Sequence, residues 1–209
     1  MKKNKLKKTI GTIFCFLGII LIVFALMIWG YNVWDDKRAG DISDDIVNRL
    51  DDELGNSASG FDNEELYKKY PEIEMPVFPI DGNDYIGQLD ISELGLTLPV
   101  MSEWSYPKLK IAPCRYSGSA YTHNLVIAAH NYSRHFGRLK NLEVGSYVVF
   151  TDMDKHRFVY TVGEIEELPP QSTEEMKDSG WDLTLFTCNR SGSKRIAIRC
   201  EEVEDSPEK

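Results

Sequence analysis

An uncharged apolar run over residues 10–29, preceded by Lys2, Lys3, Lys5, Lys7 and Lys8, constrains this chain more than any other feature. As a helix, about 20 residues rise roughly 30 Å, the thickness of a bilayer core. Lysines stay on the cytoplasmic side of a membrane, which directs the rest of the chain outward. Trp29, Tyr31 and Trp34 fall where an interfacial aromatic belt belongs. The rival reading is a cleaved signal peptide, whose apolar core is shorter and ends in small residues. Met27, Ile28, Trp29 and Gly30 make a poor cut site. No second apolar span of that length follows. The sequence therefore predicts a basic cytoplasmic segment over 1–9, one transmembrane helix over 10–30, and a single-pass protein facing outward.

Charge sharpens this division. The 209 residues hold 24 Lys+Arg and 33 Asp+Glu, for a net charge of -9. Setting aside the five N-terminal lysines leaves 19 basic residues against 33 acidic ones. Phosphate contacts need a face rich in lysine and arginine, so a general nucleic-acid binder is excluded. With 42% hydrophobic and 27% charged residues, the chain has the composition of a globular protein and not of a disordered one.

Residues 31–84 read as a stalk. Ile42, Ile46, Val47, Leu50 and Leu54 recur at helical spacing, with Asp41 or Ser43 available as a cap. The spacing predicts an amphipathic helix of about three turns, its acidic side solvated. A flexible break is expected over 55–60, and Pro71, Pro76 and Pro79 punctuate an extended approach to the domain. The acidic helix either regulates access to the domain or only spaces it from the membrane.

From residue 85 to 209 the pattern changes to strands. Candidates are 85–91, 96–100, 125–129, 147–151, 158–165, 183–187 and 195–203, rich in β-branched and aromatic residues and often alternating with polar ones. Short helical turns fit 104–110 and 173–177. About seven short strands in roughly 120 residues predict a mainly β fold, a closed or nearly closed barrel.

Chemistry is concentrated in three places. The apolar stretch Leu183, Thr184, Leu185, Phe186, Thr187 delivers Cys188 to a strand end, and a loop follows. A strand end is a rigid place for a nucleophile, and a loop leaves it accessible. A second apolar strand, Val126, Ile127, Ala128, Ala129, delivers His130 to its end. Arg195 opens the last strand seven residues after Cys188, where hairpin geometry brings it back beside the cysteine. An ordinary cysteine is only about 3% thiolate at pH 7, and a neighbouring cation raises that fraction. A histidine protonates a departing amine. An arginine donates to a carbonyl or developing oxyanion. The trio is coherent for acyl transfer through a thioester. Against it, a lone strand cysteine is most often a buried hydrophobe, and a lone histidine after an apolar strand is most often structural.

The strings themselves carry a resemblance. Thr-Leu-x-Thr-Cys at 184–188, Ala-His-Asn at 129–131 and Lys-Arg-Ile at 194–196 together resemble the sortases, membrane-anchored cysteine transpeptidases of Gram-positive bacteria. The likeness runs from about Tyr85 to Val203 and takes in the Leu-Pro-Val at 98–100 and the Phe-Gly-Arg-Leu at 136–139. It implies an eight-stranded barrel and cleavage of a Leu-Pro-x-Thr-Gly-like C-terminal sorting signal. It also implies a thioester on Cys188 and transfer to a cell-surface amine such as a cell-wall precursor. By motif match Cys188 is the nucleophile, His130 the acid/base and Arg195 the carbonyl or oxyanion partner. Thr187 contacts substrate or supports the oxyanion site. Arg190 rivals Arg195 but lacks the strand-start context. No aromatic Asp-Pro lid motif precedes the barrel and no second span follows it, which points to wall anchoring over pilus assembly. A noncatalytic anchored barrel that binds a wall polymer or an exported protein is the alternative. It expects Cys188 to be buried or paired.

The remaining candidates have plainer readings. Cys114 and Cys200 are either a disulfide or two buried side chains. No cofactor is implied. A zinc site from His130, His135 and a cysteine lacks clean ligand spacing. Asp152, Asp154, Glu164, Glu166 and Glu167 read as strand-end charges, with a calcium site as the minor alternative. Trp104, Tyr116, Tyr121 and Trp181 either line a peptide groove or fill the core.

Overall fold

In the computed structural model the described residues are 2–56, 64–177, 180–189 and 191–203. The chain divides into two compact units, one up to Arg38 and one from Ala39 onward. A single helix, α1 (Lys2–Asn56), contributes to both. In the first unit its large apolar side chains, from Ile13 to Trp34, are exposed. It is the one helix among the described residues long and apolar enough to cross a membrane.

The second unit begins well before residue 85, the start read from the strand pattern. The expected separate stalk helix, capped at Asp41 or Ser43, is instead the last part of α1. No proline or turn pair interrupts residues 30–41, and Arg38 pairs with Asp35 one turn back. Ile46 and Leu50 are buried in a small cluster with Ile80, Tyr85, Met101, Ala112 and Cys114. The aspartates of this last part stay exposed, and one of them, Asp51, accepts from Gln88 through Oδ1 at 2.8 Å. The helix is thus packed on the domain and is not a free spacer. Residues 57–60 of the expected break lie outside the described residues.

A short helix, α2 (Glu64–Lys69), precedes nine strands: β1 (Phe78–Ile80), β2 (Asn83–Ile91), β3 (Leu96–Met101), β4 (Cys114–Ser117), β5 (Leu125–Ala128), β6 (Tyr147–Asp152), β7 (Arg157–Leu168), β8 (Leu183–Cys188) and β9 (Arg195–Glu202). Two more short helices, α3 (Tyr106–Leu109) and α4 (Thr173–Lys177), fall where helical turns were expected. The sheet order is β1-β2-β3-β4-β5-β8-β9-β7-β6, and β2 also pairs with β6. That last pairing closes eight strands, β2 to β9, into a barrel, with β1 appended to β2 as a hairpin. Two strands were not foreseen. β1 is three residues around Pro79, and β4 is four residues without a clean alternation of buried and exposed positions.

Closure requires β2 to pair on both edges. At Gly87, φ is +152° and an added Cβ would strike the β6 backbone at Thr151 and Asp152, so only glycine fits. Alternation fills the interior: Leu96, Leu98 and Val100 of β3, Leu183 and Leu185 of β8, and Ile196, Ile198 and Cys200 of β9 share one core. The same alternation turns Phe186 and Cys188 of β8, and Arg195 of β9, to the outer face.

Candidate active site

Three strands set the site. β8 and β9 are antiparallel, with Cys188 directly opposite Arg195. Arg195 Nη1 donates to Cys188 Sγ at 3.1 Å. β5 runs parallel to β8, pairing Leu125 with Leu183 through Ala128 with Phe186. The same register continues past the strand end. Ala129 N–H donates to Phe186 O at 3.2 Å, Thr187 Oγ1 donates to Ala129 O at 2.9 Å, and Asn131 Nδ2 donates to Asn189 O at 3.4 Å. His130 is therefore abreast of Cys188 on the neighbouring strand line, where strands run about 4.8 Å apart. His130 just past the end of β5, Cys188 of β8 and Arg195 of β9 fall at one level across the three strand lines, each of them half-buried.

His130 has a partner for its Nδ1 in either protonation state. The backbone N–H of Asn131 donates to a bare Nδ1 at 3.1 Å, and a protonated Nδ1 reaches Asn131 Oδ1 at 3.1 Å. The ring stacks on Tyr132, with centroids 4.3 Å apart. Asn131, Asn189 and Tyr132 were not read as site residues. Their only signal in the sequence is adjacency to His130 and Cys188, and their roles come from the turn after β5.

A cavity of about 190 Å³ opens beside the row and is bordered by Cys188 and Arg195. Trp104, Tyr116, Phe186, Leu109 and Met176 make its walls largely apolar. Trp104 and Tyr116 pack at 5.2 Å, and Tyr116 meets Phe186 edge-on at 5.1 Å. Of the four aromatics left open by the sequence, Trp104 and Tyr116 border the cavity, Tyr121 is in the core, and Trp181 packs over Gly163. Buried Arg199 donates to Glu166, Thr184 and the Glu175 carbonyl, which ties α4 and its Met176 to the barrel.

Thr187 borders the cavity, is 2% exposed, has the inward parity of Leu183 and Leu185, and gives its hydroxyl to Ala129 O. It braces the His130 segment against β8. Arg190, the rival to Arg195, lies outside the described residues.

The other candidates separate from the site. Cys114 and Cys200 are both free, both buried, and in different clusters, so they are not a disulfide. Their strands are not sheet neighbours. Asp152 is fully buried and accepts from Tyr121 Oη at 2.7 Å and from the backbone N–H of Asp154 and His156. Glu166 pairs with Arg199 and Glu167 with Lys194. His135 faces Ser43, away from any zinc-type grouping with His130. Among the described residues no three metal-ligating side chains converge.

Burial pushes the thiols of Cys114 and Cys200 up to about 12. Near pH 8 both are protonated as well as enclosed. A small alkylating agent is expected to label Cys188 alone among the barrel cysteines of the native protein. Cys114 and Cys200 should follow only after denaturation, as peptide mapping will show.

Comparison with known proteins places the closed eight-stranded barrel in a family. The sortase-domain family model matches residues 89–203. The chain belongs to the sortase family, whose activity is transpeptidation. Among solved structures it is similar to a Clostridium perfringens sortase D5 transpeptidase, at 20% identity over 78% of this chain and 99% of that one, with a TM-score of 0.57. It is similar to sortase C1 from Streptococcus agalactiae, at 19% identity over 78% and 100%, with a TM-score of 0.62. It is also similar to Streptococcus pneumoniae sortase C, at 18% identity over 79% and 100%, again with a TM-score of 0.62. At these identities the likeness is one of fold. No curated protein matches the chain.

Proposed function

We propose that this sortase cleaves a Leu-Pro-x-Thr-Gly-like sorting signal through a thioester on Cys188 and transfers the acyl group to a cell-surface amine, attaching exported proteins to the cell wall. The observation that carries this reading is the pairing of Arg195 with Cys188 at 3.1 Å, beside an apolar cavity and abreast of His130.

The steps follow from that row. With its proton held on His130, Cys188 Sγ attacks the threonine carbonyl carbon, forming a C–S bond and placing negative charge on the carbonyl oxygen. Arg195, a permanent cation within reach of both sulfur and oxygen, stabilises that charge. His130 gives a proton to the departing amine as the C–N bond breaks, leaving the thioester. The incoming amine then attacks the same carbon, His130 takes its proton, and the C–S bond breaks. An amide forms, and Cys188 returns to its pairing with Arg195. Asn131 matches both protonation states that His130 passes through. The apolar walls suit the leucine and proline of the signal. The N-terminal helix anchors the protein in one pass, its lysines cytoplasmic and the barrel outside.

The noncatalytic alternative expects a buried or paired Cys188, whereas this cysteine is free and half-buried at a cavity. Full-length protein in detergent, incubated with Leu-Pro-x-Thr-Gly peptides and an amine, is expected to gain the mass of the acyl fragment on the peptide containing Cys188 and to release a joined product. Failure of every peptide in a broad library to form an adduct would overturn the assignment of the signal.

A further inference from the structure

The turn that carries His130 is held from outside the barrel by the last part of α1. His135 in that turn is fully buried, and its Nε2 lies 2.9 Å from Ser43 Oγ of α1. Its neighbour Arg134 pairs with Asp41 at 3.1 Å and with Asp44. From there a chain of rings leads back to the site. His135 meets Tyr132 edge-on at 5.5 Å, and Tyr132 stacks on His130 at 4.3 Å with 15° between planes.

Gly40 supplies a second observation. It sits inside α1, where glycine weakens a helix. An added Cβ there would run into Cδ and Nε of Arg134. The missing side chain leaves the space that the guanidinium occupies between its two carboxylates.

We infer that Arg134, with Asp41, Asp44 and Gly40, is a positioning device. It clamps the turn over 131–135 to α1 and thereby holds the His130 ring in line with Cys188. None of the four borders the cavity. Partly exposed ion pairs add little to global stability, so the clamp acts locally. Its kinetic consequence rests on the role given to His130 above; its structural consequence does not.

The test uses the full chain in detergent. Arg134→Glu is expected to lower kcat about tenfold or more by misplacing the histidine, with KM within about twofold because substrate contacts are kept. Amide hydrogen exchange should quicken over 131–137 and not in β8 or β9. Adding Asp41→Arg and Asp44→Arg to Arg134→Glu should restore both readouts. Gly40→Ala improves helix propensity yet displaces Arg134, and should lower kcat without lowering the melting temperature. Unchanged kcat in Arg134→Glu and Gly40→Ala, or exchange that rises across the whole barrel, overturns the clamp. If the wild type joins no peptide at all, the proposed function fails separately. Exchange then decides: quickening confined to 131–137 supports the clamp, and no quickening overturns it.

Discussion

Cys188→Ala leaves the barrel folded and removes peptide transfer. The side chain is half-buried on the outer face of β8, so losing one sulfur opens no interior cavity, and the melting temperature should stay near that of the wild type. Transfer requires a covalent acyl-enzyme that alanine does not form. Where nucleophile and base act as a unit, removing the nucleophile costs about 10⁶ in kcat. Residual binding in the apolar cavity adds little rate of its own. Steady-state transfer should therefore fall below detection while peptide binding, read by fluorescence or calorimetry, is retained. Measurable transfer by the alanine variant would exclude the thioester route. Cys114→Ala is the contrasting control. It empties part of a buried cluster and should lower stability while leaving kcat of the folded protein unchanged.

Arg195→Ala is expected to lower kcat by about 10² to 10³, the range seen when one donor to a developing oxyanion is lost. KM should change much less, because Arg195 forms one edge of a cavity whose other walls remain. Arg195→Lys restores the charge without the planar fork and should recover only part of the rate. The β8–β9 register makes this specific, since only residue 195 is opposite Cys188. Arg190→Ala should have a small effect by comparison. If Arg190→Ala proved the costlier change, the assignment of Arg195 as the partner would fall.

Much of the barrel was readable in the sequence because alternation is a local signal. Leu96, Leu98 and Val100, or Ile196, Ile198 and Cys200, declare their strands without reference to any neighbour. β4 carried no such signal. Three of its four residues are half-buried, and a register shift falls between Arg115 and Ser117. β1 exists because β2 offers an edge for pairing. Cys188, His130 and Arg195 were readable for another reason: each closes or opens an apolar strand, and strand ends are where a sheet presents chemistry.

Thr187 shows what local reading leaves out. It sits beside the cysteine and borders the cavity, but one residue of β-strand turns its side chain to the opposite face, and no local pattern announces that its hydroxyl goes to Ala129. The acidic helix shows the same limit from the other side. Its heptad-like apolar stripe announced a buried face but not its partner, which is assembled from β1, β2, β3 and β4.

The sequence by itself determined the apolar N-terminal helix, most of the strands and the strand ends at which the three residues proposed for the site stand. Those properties depend on periodicity and residue type within short segments. Only the tertiary structure decided that β2 closes on β6, that Cys114 and Cys200 stay apart, and that α1 grips the turn beyond His130. Each of these joins residues tens of positions apart. Such contacts are chosen by packing and hydrogen-bond register, which no local pattern contains.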